Sequence, residues 1–286
     1  MPETYGAHEC RVYFVQESTY GQTPANPSWI GIPAESVEPA LSPNLIKVRT
    51  VGSRDLAALK LGVRDPTVKL GHVLPADAPV AFIQHAYTLN SLSLQTVYYK
   101  GLFSSPTDVL TLTYSGMRIN KLSVECSLEE VVKATVELIG QNLATGTAKT
   151  GSYMDYAGGL TSIDCYVQKG AADGSGLATV ERVLDWKFSI ENNLKAVPVQ
   201  RATTPYLLKY LVARHRELEG EVNFEFEDKT EFDEVLADSE FSLKFVMGGG
   251  YVLFKYCKWD GVKTQAKIED IVSCKAKFVA RDVVIA

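Results

Sequence analysis

The residue groupings that come nearest to catalytic or ligand-binding motifs each lack a residue that the chemistry requires. Gly248-Gly249-Gly250 resembles part of a phosphate-binding loop, but no Lys-Ser/Thr pair and no helix pattern follows, so a hairpin turn is expected. The four histidines do not fall at ligand spacing from cysteines or carboxylates, and no serine stands in a Gly-x-Ser-x-Gly elbow. The sequence therefore predicts no catalytic, cofactor-binding or metal-binding residue, and a protein that is not an enzyme.

The most informative polar pattern is an alternating strand at residues 219–227. Val222, Phe224 and Phe226 fall on one side, and acidic residues dominate the other. This polar side is either an ordinary solvated face that resists aggregation or an acidic surface that repels phosphate. Because like charges on neighbouring strands destabilise a sheet, the acidic residues need lysines nearby. The candidate partners are Lys263, Lys267, Lys275 and Lys277.

Two segments, 121–139 and 261–279, share one alternating pattern of apolar and polar residues. In the first, Leu122, Val124 and Cys126 alternate with polar residues, and the alternation resumes after an acidic pair. A period of two residues predicts hairpins with one buried face and one solvated face. The two segments share only two identities in 19 positions, so duplication and convergence both remain open.

The order of elements predicts a mainly β protein, a β-sandwich with one or two short flanking helices. Prolines interrupt the apolar runs of residues 1–80, which predicts an extended arm with one short strand at 11–15, packed on its own or a neighbouring subunit. Residues 81–286 form the expected sandwich, with a loop insertion around 141–180. Strands are expected at 81–89, 92–100, 108–114, 118–127, 131–141, 160–168, 179–192, 218–227, 241–247, 250–259, 262–268 and 271–284.

Helices are expected at two places only. Thr230 and Asp233 have the spacing of a capping box before an apolar side formed by Phe232, Val235 and Leu236. A second helical turn is expected at residues 205–214, where three leucines have helical spacing.

Composition limits the classes of partner. The formal net charge of −5 gives no basic excess for binding nucleic acid. The sequence contains no run of 18 apolar residues, and its N-terminus lacks the pattern of a signal peptide. We therefore expect a soluble protein made in the cytoplasm, without a membrane partner, whose five scattered cysteines are free thiols.

Four segments, in order, resemble the tail tube proteins of tailed bacterial and archaeal viruses. A short strand leads into Glu17-x-x-x-Gly21-x-x-Pro24, and at 116–140 a strand that starts with glycine turns through an acidic pair and returns. Residues 186–194 and 216–226 are similar to the second sheet of that family, and a single helix and a last hairpin follow. The resemblance covers residues 11–284.

This resemblance implies a structural virion protein of the virus tail. Its subunits would form rings, usually of six, in which the sheets join into a barrel, and the rings would stack into a hollow tube that delivers the genome. DNA would pass through the lumen without specific binding, because a basic wall would hold the phosphates. The residues expected to face the lumen are Ser123, Glu125, Glu137, Glu221 and Glu225.

The implied partners are further copies of the chain, the tape measure, the tube initiator and terminator, and in contractile tails a sheath. No cofactor is expected. Two alternatives remain open at this point: a β-sandwich module of a virion that binds a receptor or glycan, and the tube subunit of a contractile injection system. The three tryptophans are too dispersed in the sequence to indicate a glycan-binding face.

Overall fold

The computed structural model describes residues 4–156, 158–266 and 272–286. Its fold is mainly β, which confirms the predicted class. The chain has two halves with the same order of elements. The first half contains β1 (Cys10–Gln16), β2 (Ser28–Ile32), β3 (Ala34–Ser42), β4 (Ile46–Val48), β5 (Ala58–Lys60), β6 (Asp65–Val73), α1 (Ala81–Thr88), β7 (Leu92–Leu102), β8 (Ser105–Ser127), β9 (Lys133–Ile139), β10 (Asn142–Gly146) and β11 (Ser152–Met154).

The second half repeats this order, but its described residues include no counterpart of β11. It contains β12 (Cys165–Ala171), β13 (Ala178–Thr179), β14 (Val183–Glu191), β15 (Lys195–Val197), β16 (Tyr210–Val212), β17 (Glu217–Glu225), α2 (Thr230–Leu236), β18 (Phe241–Met247), β19 (Gly250–Gln265), β20 (Ser273–Val279) and β21 (Asp282–Ile285). A single 3₁₀ turn precedes each half, at Ala7–Glu9 and Ser162–Asp164.

Both halves contribute to one antiparallel sheet, which we call the long sheet, with the strand order β3-β6-β9-β8-β14-β17-β20-β19. The N-terminal parts of β8 and β19 leave the long sheet and join two smaller sheets. These have the orders β11-β2-β1-β7-β8-β10 and β13-β12-β18-β19-β21.

A continuous apolar core joins the smaller sheets to one face of the long sheet. Phe245 of β18 illustrates the contact, since its ring packs against Trp186 and Phe188 of β14 and Phe278 of β20, all of them buried. Alternation along each strand therefore leaves the opposite face of the long sheet polar.

The long sheet consists of two four-stranded repeats that match in register. The hairpins β8–β9 and β19–β20 have the same pairing register when 140 is added to each residue number of the first. The pair Leu122–Val136 thus corresponds to Val262–Ala276. Both ladders are interrupted at the same place, between Ile119 and Lys121 and between Trp259 and Gly261. The two hairpins seen in the sequence are thus equivalent structures, although the second turn lies outside the described residues.

The outer pair of strands in each repeat also matches. The register of β3 with β6 shifts between Ala34 and Ser36, and the register of β14 with β17 shifts at the corresponding point between Val183 and Asp185. We call β3, β6, β9 and β8 the first repeat, and β14, β17, β20 and β19 the second repeat. A shared register that includes both irregularities indicates an internal repeat rather than two unrelated hairpins.

Residues 10–73 differ from the expected irregular arm, because they form β1 to β6. The prolines occupy positions that a sheet tolerates: Pro39 lies in the edge strand β3, Pro66 near the start of β6, and Pro33 between β2 and β3. Prolines excluded a helix correctly, but they do not exclude strands of this kind. Packing of this segment on a neighbouring subunit stays a prediction.

The helices were predicted less well than the strands. Residues 81–88 form α1 instead of a strand, with Phe82, Ile83 and Ala86 on its buried side. Residues 205–214 contain β16 rather than a helical turn. The helix at Thr230 is confirmed, but without the predicted capping box: the backbone N–H of Thr230 donates to Asp228 Oδ1 at 2.8 Å.

Three further expectations concern turns and loops. The glycine turn at 248–249 joins β18 to β19, as predicted, with Met247 opposite Gly250. The expected breaks within 108–127 and within 250–265 do not occur, because β8 and β19 are continuous strands that span two sheets. Residues 142–146 and 152–154, expected to lie in an exposed loop, pair as strands with β8 and β2.

Candidate functional site: the polar face of the long sheet

All five residues expected to face a lumen lie on the polar face of the long sheet. Residues directly opposite each other in an antiparallel pair point to the same side, so the register assigns them. Ser123 lies opposite Ser189 and Glu125 opposite Lys187 between β8 and β14. Glu137, Glu221 and Glu225 lie opposite Lys121, Lys277 and Ser273, respectively. The structure therefore brings the five residues onto one surface.

Charges alternate in sign along this surface. Opposite charges on neighbouring strands attract, so rows of alternating sign stabilise the sheet that carries them. One row crosses five strands in the order Lys133, Glu125, Lys187, Glu221, Lys277. A second row runs Glu38, Lys69, Glu137, Lys121, Glu191. The face is therefore a mixed-charge surface and not the acidic surface that residues 219–227 suggested.

Glu221 is the most deeply placed carboxylate of this surface, only 6% exposed. Its Oε1 lies 2.7 Å from Lys275 Nζ and 3.3 Å from Lys187 Nζ. Burial opposes ionisation, but the hydrogen bonds and charges of both lysines outweigh it, and the pKa of Glu221 is lowered. Glu221 thus joins β17 to both neighbouring strands, β14 and β20.

The predicted lysine partners have different outcomes. Lys275 forms the expected ion pair with Glu221. Lys277 lies directly opposite Glu221, and Lys263 lies opposite Lys275 on the last strand of the sheet. Lys267 is outside the described residues. Sequence reasoning did not name Lys187, although its position directly after the buried Trp186 places it on the polar face.

We expect the stability of the monomer to depend on the ionisation of Glu221. Because its pKa is lower in the folded state, the stabilisation is present above the unfolded pKa and is lost as the pH falls through the folded pKa. Glu221→Gln should cost about 1 kcal/mol at pH 7 and flatten the decrease in stability between pH 5 and 3. Urea unfolding at a series of pH values measures both effects. A decrease of the same size in the variant would contradict this role.

The long sheet ends in two open edges. Within the described residues, β3 pairs only through its β6 side and the C-terminal part of β19 pairs only with β20. Leu41 on the edge strand β3 is 41% exposed, and so is Val279 of β20, the strand next to the β19 edge. Unpaired edges with exposed apolar residues are sites at which another chain can add.

The described part of the chain shows no cluster of three or more histidine, cysteine, aspartate or glutamate side chains that could hold a metal ion. None of the helices that the structure describes is long and apolar enough to cross a membrane.

Fold and surface together define a structural β-sandwich protein in which two repeats share one sheet, with both edges unpaired among the described residues. The sequence model of the phage tail tube protein family matches residues 7–280, and the chain belongs to this family. It is a tail tube subunit, and its place is the virus tail. This confirms the family resemblance found in the sequence.

Three solved structures match this chain with low similarity. A chain of the tail of an empty gene transfer agent particle, refined with C6 symmetry, is 8% identical with a TM-score of 0.37 and covers 44% of this chain and 96% of its own length. A chain of the sheath–tube complex of an extracellular contractile injection system is 11% identical with a TM-score of 0.38 and covers 51% and 93%. A chain of the anti-feeding prophage baseplate is 16% identical with a TM-score of 0.38 and covers 51% and 97%. The comparison with curated proteins gave no match.

Proposed function

We propose that copies of this chain close into rings, that the rings stack into a hollow tube, and that the polar face of the long sheet lines the channel through which DNA passes. The observation that carries the proposal is a polar surface that continues across all eight strands and ends in open edges on both sides. Joining the edges of successive copies would remove the unpaired strands and make this surface continuous.

The charge pattern suits a channel for DNA. A wall with excess lysine would bind phosphates through counterion release and slow the passage of the duplex. Rows of alternating charge keep the wall hydrated, while lysines within the rows have carboxylate neighbours, as Lys187 has in Glu125 and Glu221. The lumen-facing role of Ser123, Glu125, Glu137, Glu221 and Glu225 belongs to this proposal.

The further partners that we propose are other tail components: a tape measure inside the tube, an initiator and a terminator at its ends, and a sheath if the tail contracts. Co-purification of a sheath protein with tubes from virus-infected cells would distinguish a contractile tail from a non-contractile one.

We expect purified chain to form rings or tubes visible by negative-stain electron microscopy. Wild-type tubes should bind short duplex DNA weakly. Glu219→Lys with Glu225→Lys should produce tubes that retain DNA at low salt and release it at high salt, since both residues lie on the polar face and neither has a lysine directly opposite. Sedimentation with labelled DNA measures retention.

A matched control places two lysines on exposed positions outside the long sheet, Asp77→Lys with Asp173→Lys in the turn between β12 and β13, with the same change in net charge. If both double variants retain DNA equally, the polar face does not line the channel. If the wild-type chain stays monomeric at high concentration in every salt tested, the tube proposal fails.

A further inference from the structure

The junction between the two repeats shows how one four-stranded unit joins the next. Strand β8 of the first repeat pairs with β14 of the second, with Leu122 opposite Ile190 and Val124 opposite Phe188. All four side chains are buried, each 1% exposed or less. The chain therefore contains one complete example of a unit-to-unit joint.

The two open edges are the counterparts of the strands in this joint. In β3, Leu41 stands where Ile190 stands in β14, counted from the shared irregularity, and in β19 Val262 stands where Leu122 stands in β8. Leu41 is 41% exposed, whereas Ile190 is fully buried. The edges thus carry the apolar residues of a joint without the partner strand.

We propose that β19 of one copy pairs antiparallel with β3 of the next copy, with Val262 opposite Leu41, in the register of the internal β8–β14 joint. This inference rests on the proposed ring assembly and specifies its interface. Each copy then supplies two consecutive units of the ring wall. The family resemblance implies rings of six subunits. If each four-stranded repeat takes the place of one such subunit, three copies close the ring, with three joints inside chains and three between them.

Charges on the polar face agree with this register. It places Glu38 of β3 opposite Gln265 and diagonal to Lys263 of β19, within reach of a long side chain. In the internal joint the corresponding positions hold Lys187 opposite Glu125. The acidic residue thus lies on β3 and the basic residue on β19, so the two edges attract each other.

A second contact between the two halves, made by the β15–β16 hairpin, covers a surface whose equivalent at the end of β20 stays exposed. The hairpin β15–β16 connects β14 to β17 of the second repeat but packs on the first repeat. Leu208 and Leu211 are buried in a cluster with Leu194 that contacts Ile139 at the end of β9. Arg118 Nη1 also donates to the backbone O of Leu211 at 3.0 Å. This hairpin therefore covers the end of the preceding unit.

In the first half the hairpin β4–β5 occupies the corresponding place, between β3 and β6 in the chain. Its apolar residues have no such cover: Leu45, Ile46 and Leu59 are each at least half exposed. The counterpart of Ile139 is Val279, which is exposed at the end of β20. The proposed joint brings the β4–β5 hairpin of the next copy over Val279, as β15–β16 covers Ile139.

The register can be tested by cross-linking positions that it places directly opposite. Ala40→Cys with Lys263→Cys joins β3 of one copy to β19 of the next, and the equivalent pair Ser189→Cys with Ser123→Cys lies across the internal joint as a matched control. Assembled protein is oxidised and run on a denaturing, non-reducing gel. Native mass spectrometry and averaged end-on electron micrographs of the same rings give the number of copies.

We expect the Ala40/Lys263 pair to give covalent dimers and trimers and no larger closed species, and the Ser123/Ser189 pair to give cross-linked monomers. Rings should contain three copies with six similar units. Rings in which only the internal pair cross-links would overturn the proposed joint, and rings of six copies would overturn the three-copy ring, while the tube function stands in both cases. Absence of any ring or tube would overturn the tube function itself.

Discussion

Leu41→Glu is expected to abolish ring formation and to leave the fold of the monomer intact. In the free chain Leu41 is exposed, so the change should alter the free energy of unfolding by no more than about 0.5 kcal/mol. In the proposed joint the same residue lies against Val262 on the apolar face, where Ile190 and Leu122 are fully buried in the internal copy. A carboxylate buried there without a partner should cost about 3–5 kcal/mol per joint.

That cost corresponds to a loss in joint affinity of at least about a hundredfold, since each 1.4 kcal/mol is a factor of ten. Analytical ultracentrifugation should show monomers at concentrations where the wild-type chain forms rings, and circular dichroism melting should be unchanged. Leu236→Glu is the matched control, because Leu236 is 84% exposed on α2 and outside the joint. Rings formed by Leu41→Glu at wild-type concentrations would contradict the interface.

The hairpins of the long sheet were predictable because alternation alone assigns their faces. Apolar residues at every second position of 121–139 and 261–279 define which side is buried, whatever the neighbouring strands are. Helix α1 was missed for the opposite reason. Its eight residues include Phe82, Ile83 and Tyr87, which favour strands. The helix is stabilised by tertiary packing, which buries Phe82, Ile83 and Ala86 and cannot be read from the local sequence.

The pairing of charges could not be read from the sequence. Glu221 is 34 residues from Lys187 and 54 residues from Lys275, and only the strand order places both beside it. Strand β3 is another such case, because a proline and two glutamates in nine residues look irregular until β6 pairs with them. The sequence likewise does not show that β3 and β19 are edge strands. Their unpaired sides are recognised only by comparison with the paired strands β14 and β8 of the internal joint.

Arg182→Ala is expected to destabilise the monomer by about 3–5 kcal/mol. Its guanidinium donates two hydrogen bonds to Glu231, with Nη2 to Oε1 at 2.5 Å and Nη1 to Oε2 at 3.3 Å. Glu231 is 1% exposed, and the guanidinium carbon also lies 4.9 Å from the centre of the Phe224 ring. The pair therefore fixes α2 to the long sheet, and removing the arginine leaves a buried carboxylate without its counter-charge.

Replacing both partners with apolar residues of similar length, Arg182→Met with Glu231→Leu, should restore most of this loss, because no buried charge then remains unpaired. The exposed pair Lys229–Asp233 on the same helix provides the control, and Lys229→Ala should cost less than about 1 kcal/mol. Urea unfolding of the four proteins gives the free energies. A cost below about 1 kcal/mol for Arg182→Ala would mean that apolar packing alone holds α2. A large cost would mean that the buried ion pair, and not apolar packing alone, holds α2 against the long sheet.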